Sequence, residues 1–291
     1  MTLPNFIIAG VPRGGTTSLQ AYLRQHPDVY ICRGEPRYFL LPEDNFAGDI
    51  GIRVTIHNLQ DYLALFDEVI GEKAIGEKSP FYIFSEVATH RIRATIPEAK
   101  IIMVLRNPVE RAYSGYWLAA RNGNDVGTLE EYFADLNPGI WNGGYSKHLS
   151  RWYDVFPGDQ LKVIIFDDLK TDSLKVYQEL CQFLEIDETF VPDLTRRNQG
   201  GAPQNQLLAR FYHAVRGNRV ARKLERYVPS ALHDRFTELR LKNISKPPRI
   251  PDDLAQKLGA YYRDDIVRLE DLLQRDLSSW KGDLESQTQS L

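Results

Sequence analysis

The chain has 291 residues, 43% of them hydrophobic and 26% charged, enough for a packed core in one large domain or two small ones. Lys and Arg number 36 against 39 Asp and Glu, and the resulting net charge of −3 argues against a general nucleic-acid binder. Collagen, low-complexity disorder and a disulfide-stapled miniature are excluded by composition, and no apolar run approaches the ~20 residues that a bilayer span needs. The two cysteines, Cys32 and Cys181, show neither CxxC nor Cys/His metal spacing, so no metal is expected and a reducing cytoplasm fits.

In chain order, Asn5–Gly10 reads as a short buried strand bounded by turn residues rather than as a signal peptide. Thr16 to about Gln25 reads as a helix, with Leu19 and Leu23 four apart on one face. Leu59–Val69 is a second helix, Ala74–Glu77 a short strand, and Phe84 to Thr95 is helical in content. Lys100–Arg106 (KIIMVLR) is the clearest central strand, and Pro108 opens the helix that follows it. Leu161–Phe166 is a further strand, followed by a helix through LKVYQELCQFL. Four such βα units predict an α/β fold: an open parallel sheet flanked by helices, P-loop-like at its first turn.

Strand signals stop beyond about Asp187. Arg196–Arg226 holds eight Lys/Arg against one acid, Glu225, and reads as a solvated basic face or as a device that steers anionic ligands. A last amphipathic helix places Leu254, Leu258, Tyr261, Tyr262, Ile266, Leu269 and Leu273 at helical spacing. With no repeat and no Gly/Ser linker, 1–291 is expected to be one domain: an α/β core over 1–187 and a mainly helical part over 188–291.

The first strand runs into Gly10-Val11-Pro12-Arg13-Gly14-Gly15-Thr16-Thr17 and then a helix, nearly the pattern G-x-x-x-x-G-K-[ST]. Glycines let backbone N–H groups approach a phosphate, and the helix adds its positive end. The lysine that a P-loop nucleotidase uses on the β- and γ-phosphates is Thr16 here, so the loop suits an anion but not ATP or GTP hydrolysis. A second anion site is expected where Arg106 ends its strand and Ser114 follows on the next helix, unless Arg106 is taken up by Glu110.

GVPRGGTTSL, the EPRYF segment, EKSPFY and VLRNPVERAYSGY, in that order, resemble the sulfotransferases that use 3′-phosphoadenosine 5′-phosphosulfate (PAPS). The likeness is greatest to the catalytic domains of heparan sulfate O- and N-sulfotransferases, in the form of a soluble bacterial-type member, and covers roughly Phe6 to Leu184. It implies PAPS as donor and PAP as product, without metal. Arg13, Gly14, Gly15, Thr16 and Thr17 fall on the loop that binds the 5′-phosphosulfate, with Arg13 where the heparan enzymes have lysine. Arg106 and Ser114 fall on the pair that binds the 3′-phosphate. The glycine-containing segment that closes the cofactor site in those relatives is matched only loosely, by Ser245-Lys246-Pro247-Pro248-Arg249.

The resemblance also makes Glu35 the catalytic base, where composition alone favours a surface salt bridge with Arg33 and Arg37. It places Lys78 near the sulfuryl group with Ser79 beside it, against the alternative of a strand-end lysine paired with Glu77. Arg37 is the candidate for orienting an anionic acceptor, His57 the competing base, and His26 a helix C-cap. Tyr113, Tyr116, Trp117, Trp141, Tyr145 and Trp152 are core by default, with stacking on a sugar or adenine as the alternative. The expected reaction is transfer of a sulfuryl group to a hydroxyl, or an amine, of a carbohydrate; lipid and polyketide acceptors stay open. A P-loop kinase and a non-catalytic nucleotide- or glycan-binding module are the competing readings. The missing lysine weighs against the first, Glu35 with Lys78 against the second.

Overall fold

The computed structural model describes residues 2–41, 56–122, 124, 126–134, 143–195, 202–203, 205 and 244–281. The basic stretch at 196–226, apart from positions 202–203 and 205, and Trp141 lie outside these residues. Five strands form one parallel sheet in the order β2-β3-β1-β4-β5. They are β1 (Phe6–Gly10), β2 (Val29–Ile31), β3 (Ala74–Lys78), β4 (Lys100–Leu105) and β5 (Leu161–Ile165). Each of the four expected strands is present. The fifth, β2, has three residues between a His-Pro-Asp turn and a Cys-Arg-Gly turn, too short for its apolar pattern to register.

Helices cover both faces, which is why the strands are continuous apolar runs rather than alternating ones. On one face Phe6, Ile8, Ile102 and Val104 pack on α1 (Thr16–Leu23) and on a later helix carrying Tyr177, Leu180 and Cys181. On the other, Ile7, Ala9, Ile101, Met103 and Leu105 face a larger cluster. Between β2 and β4 lie α2 (Leu59–Ala64), shorter than the sequence suggests, and α3 (Glu86–Thr95). Ser85 ends the preceding 3₁₀ turn and caps α3 by accepting from the Ala88 amide at 3.0 Å.

After β4 come α4 (Pro108–Arg121), α5 (Leu129–Ala134) and α6 (Tyr145–Val155), the last two not read from the sequence. Asn107 caps α4, and Pro108 sits at its first position as expected. The segment after β5 divides into α7 (Phe166–Thr171) and α8 (Ser173–Leu184), because Asp172 leaves helical geometry and caps the second helix. Two short antiparallel strands, β6 (Ala202–Pro203) and β7 (Ile244–Ser245), precede α9 (Asp252–Leu273).

The α9 helix joins the larger cluster through Leu254, Leu258, Tyr262, Ile266 and Leu269, with Leu277 and Trp280 beyond its end.

 Leu269 itself is fully buried in that cluster. A buried charge fixes the docking: Asp265 accepts from the Tyr145 amide at 2.7 Å, from the Ser146 amide at 3.2 Å and from the Ser146 hydroxyl. The residue preceding α6 is Gly144, which has no side chain to cap with, so α9 supplies the cap from 120 positions away. Asp265→Ala is therefore expected to cost about 2–3 kcal/mol, read as a lowered denaturant midpoint with an unchanged m-value.

Two histidines are held by structural contacts, His26 buried and His148 partly buried. His26 is not simply a C-cap: its Nδ1 accepts from the Asp28 amide at 3.0 Å, and Nε2–H donates to the Asp187 carbonyl at 2.9 Å. His148, on α6, sits edge-on to Phe84, and burial, then Arg151, Lys147 and Arg111, push its pKa down to about 4. The unfolded chain takes up this proton near pH 6.5, whereas the folded chain resists until about pH 4. Protonation between those values favours unfolding, so this contribution is complete above pH 6.5 and declines as pH falls toward 4. Melting curves of the wild type and His148→Gln should show a smaller acid-induced loss in the variant over that window.

Candidate active site

The strand order reverses between β1 and β4, and the loops at the carboxyl ends of β3, β1 and β4 converge there. The β1 loop is pressed against the sheet: Val11 N–H donates to the Val104 carbonyl at 3.1 Å, and Gly14 N–H to Val11 at 3.0 Å. A Cβ on Gly14 would lie 2.3 Å from the Val104 carbonyl oxygen, so only glycine fits. Gly15, at φ 98°, turns the chain into α1 with no side-chain cap, and a Cβ there would lie 2.7 Å from the Phe166 ring. Thr16 is buried and Thr17 exposed at the start of that helix.

Arg13 crosses from this loop to α4. Its Nε and Nη2 donate to Ser114 Oγ at 3.0 and 2.8 Å, so the two anion sites expected separately are joined across 101 positions. Burial, then Arg121 and Arg106, lower the Arg13 pKa to about 10, which leaves it charged at neutral pH in a crowded cationic corner. Arg106 lies just past β4, stacks over Phe166 at 5.1 Å and pairs with Glu110 at 2.8 Å. The alternative partner is thus the one observed. The Tyr145 hydroxyl donates to the Arg106 carbonyl at 2.8 Å, holding the backbone there. One residue before Ser114, the Tyr113 hydroxyl donates to the Pro248 carbonyl at 3.1 Å, which lays the Lys246–Arg249 segment against α4.

Beyond β2, Gly34 and Arg37 both adopt positive φ, and the loop returns toward the end of β3. Glu35 there accepts from Lys78 Nζ and from Arg37 Nη2, both at 2.7 Å, one on each carboxylate oxygen. Lys78 is buried and bonded to Glu35; pairing with Glu77 is ruled out, because the adjacent residue points to the opposite face of the strand. Burial pushes the Glu35 carboxyl up, but the attraction and hydrogen bond of Lys78, then those of Arg37, outweigh it and hold the group below its ordinary range. Arg37 lies over the Phe81 ring at 5.4 Å, and its buried Nε has no hydrogen-bond partner among the described residues.

Ser79 is fully buried and donates to Glu77 at 2.7 Å, so it does not face the site as an assisting hydroxyl. Arg33 and His57 are exposed. Tyr113, Tyr116, Tyr145 and Trp152 are core residues, and Trp117 is partly buried beside them. Sequence reasoning missed the Arg13–Ser114 contact and the Tyr145 support of Arg106, neither of which leaves a signal in neighbouring residues. The Glu35–Arg37 pair is the salt bridge that the Glu-Pro-Arg spacing suggests. Among the described residues no group of three or more His, Cys, Asp or Glu side chains is arranged to hold a metal ion.

An open parallel sheet with a glycine loop and clustered cations at its switch point defines an α/β protein whose first loop is suited to a phosphate-like anion. Residues 3–206 match the sulfotransferase domain model, and the chain belongs to the sulfotransferase family. It is 32% identical over 179 residues to human heparan sulfate glucosamine 3-O-sulfotransferase 3B1, a match covering 58% of this chain and 43% of that protein. It is 30% identical over 198 residues to the human bifunctional heparan sulfate N-deacetylase/N-sulfotransferase 2, covering 63% and 22% respectively. The match thus spans less than half the length of either relative. A sulfotransferase from Alicyclobacillus acidocaldarius, solved as a crystal structure, superposes with a TM-score of 0.71 at 29% identity, over 97% of this chain and 100% of that one.

Proposed function

We propose that this protein transfers the sulfuryl group of PAPS to a hydroxyl of a carbohydrate, with an amine as the alternative acceptor atom. The observation that carries the reading is the meeting, at one sheet edge, of the Arg13–Ser114 pair with the Glu35–Lys78–Arg37 cluster. The fit to the donor rests on the glycine loop and on Arg13, whose pKa is lowered first by burial and then by two further guanidinium groups, a repulsion that a bound anion relieves. Arg13, Gly14, Gly15, Thr16 and Thr17 would hold its 5′ end, and Arg106, exchanging Glu110 for the phosphate, would hold its 3′-phosphate with Ser114. When bound, PAPS supplies an activated sulfuryl group on a phosphate leaving group.

The chain's own residues then bind, orient and move one proton. Glu35, held ionised, is always available to accept. A carboxylate this weakly basic takes the acceptor's proton as the new S–O bond forms and the acceptor oxygen acidifies, not before. The overall change is acceptor O–H plus PAPS giving the sulfate ester, PAP and the proton received by Glu35. Lys78 is a buried cation adjoining that carboxylate, suited to charge developing at the transfer centre. Arg37, with Nε unbonded among the described residues, is the candidate contact to the acceptor. The heparan sulfate relatives favour a glycan acceptor; a lipid or polyketide alcohol is the alternative. No helix among the described residues is long and apolar enough to cross a membrane.

Titration calorimetry tests the donor. Adenosine 3′,5′-bisphosphate should bind at least about tenfold more tightly than 5′-AMP, a difference of about 1.4 kcal/mol, because only the bisphosphate fills the Arg106/Ser114 position as well as the loop. Arg106→Ala should remove most of that preference. Equal affinity of the two nucleotides in the wild type would contradict the assignment.

A further inference from the structure

Glu77 and Lys78 end β3, and Ser79 follows directly. Strand alternation sends Lys78 to the face where it grips the Glu35 side chain, and Glu77 and Ser79 to the other. Glu77 is wholly buried. Removing a carboxylate from water is costly: burial raises the Glu77 pKa to about 7 against the pull of three donated hydroxyls, so it is the acceptor-only carboxylate above that pH, and nothing in the proposed transfer uses it. Its Oε1 accepts from the Tyr62 hydroxyl at 2.7 Å and the Tyr82 hydroxyl at 3.2 Å, and its Oε2 from the Ser79 hydroxyl at 2.7 Å.

A hydroxyl has one proton to donate. With the Ser79 and Tyr82 protons directed to Glu77, both oxygens are left as acceptors, and both face the loop that carries Glu35. Ser79 Oγ accepts from the Arg37 amide at 3.0 Å, and the Tyr82 oxygen from the Phe39 amide at 3.3 Å. Arg37 is also held at φ 54°, a left-handed conformation that a residue with a side chain keeps only when its surroundings impose it.

We propose that Glu77 is a positioning residue for Glu35. By taking the Ser79 and Tyr82 protons, it turns both hydroxyls into acceptors for the amides of Arg37 and Phe39 and fixes the loop that sets Glu35 opposite Lys78. The inference rests on the reading of Glu35 as the base. One strand thus holds the loop from both faces, by its backbone through Glu77 and by its side chain through Lys78.

Two single-hydroxyl deletions, Ser79→Ala and Tyr82→Phe, test it. Amide hydrogen exchange should accelerate by about tenfold or more at Arg37 in the first and at Phe39 in the second, with β4 amides unchanged. Turnover, measured with radiolabelled PAPS and desulfated heparan sulfate, should fall by up to about 10²-fold through misplacement of the base, while bisphosphate affinity stays within about twofold. Each deletion is then repeated in the Glu35→Gln background. If the hydroxyls act through Glu35, they add little once it is gone. Equal losses in both backgrounds, or unchanged exchange at both amides, would overturn the proposal. Full turnover in Glu35→Gln alone would instead overturn the base assignment, with the exchange data still judging the loop. Should Ser79→Ala fail to fold, Tyr82→Phe carries the same cycle.

Discussion

Glu35→Gln should lower turnover by about 10²–10⁴-fold, the usual cost of removing a general base, while bisphosphate affinity stays near that of the wild type. Glutamine keeps the shape and one acceptor oxygen, so Lys78 or Arg37 retains a partner. What is lost is the ability to receive a proton. Because Lys78 and Arg37 hold the Glu35 carboxyl below its ordinary range, its acid limb in a pH–rate profile should lie below that of a free carboxylate and vanish in the variant. The paired measurement is turnover and bisphosphate affinity, with a melting curve as control. A folding defect would lower all three together; loss of the base lowers turnover alone.

Lys78→Ala should cut turnover by about 10²–10³-fold, the cost typical of removing one preorganised donor from a developing charge. Two causes add here. The cation is lost from the transfer centre, and Glu35 loses its 2.7 Å partner, leaving Arg37 alone to place it. Its carboxyl should therefore rise toward the ordinary range, and the acid limb of any residual activity should move up in pH. Lys78→Met, which keeps most of the buried stem, should show the same loss of turnover with a smaller loss of stability. Wild-type turnover in Lys78→Met would remove Lys78 from the chemistry and leave it a structural partner of Glu35.

What was legible in the sequence was whatever depends on neighbours in the chain. β4 and β5 are apolar runs because both faces are covered, and Asn107-Pro108 marks the start of α4 in any context. The glycine loop is visible because close backbone approach admits no other residue, as Gly14 against Val104 shows. The roles of Glu35 and Lys78 come from likeness to a family, since neither charge nor spacing distinguishes Glu35 from a surface salt bridge; Arg106 and Ser114 read as an anion site from their place at a strand end, and likeness adds only which phosphate. Contacts between distant segments were not legible at all. Nothing near Gly144 announces that Asp265 will cap α6, and nothing near Glu77 shows that it faces three hydroxyls rather than Lys78. The extent of α2 was overread because LQDYLALFDEV keeps a helical spacing past Ala64, whereas the chain there turns to bring Leu65 under Tyr30, whose hydroxyl donates to the Leu65 carbonyl at 2.7 Å.

The central claim is tested most directly by incubating the protein with radiolabelled PAPS, a chelator and a panel of acceptors: desulfated heparan sulfate with free amines, the same polymer with its amines blocked, and a simple lipid alcohol. The account predicts label in a polysaccharide, undiminished by the chelator, retained when amines are blocked and lost in Glu35→Gln. Absence of label from every acceptor while the bisphosphate still binds, or label that requires an added divalent metal, would contradict it.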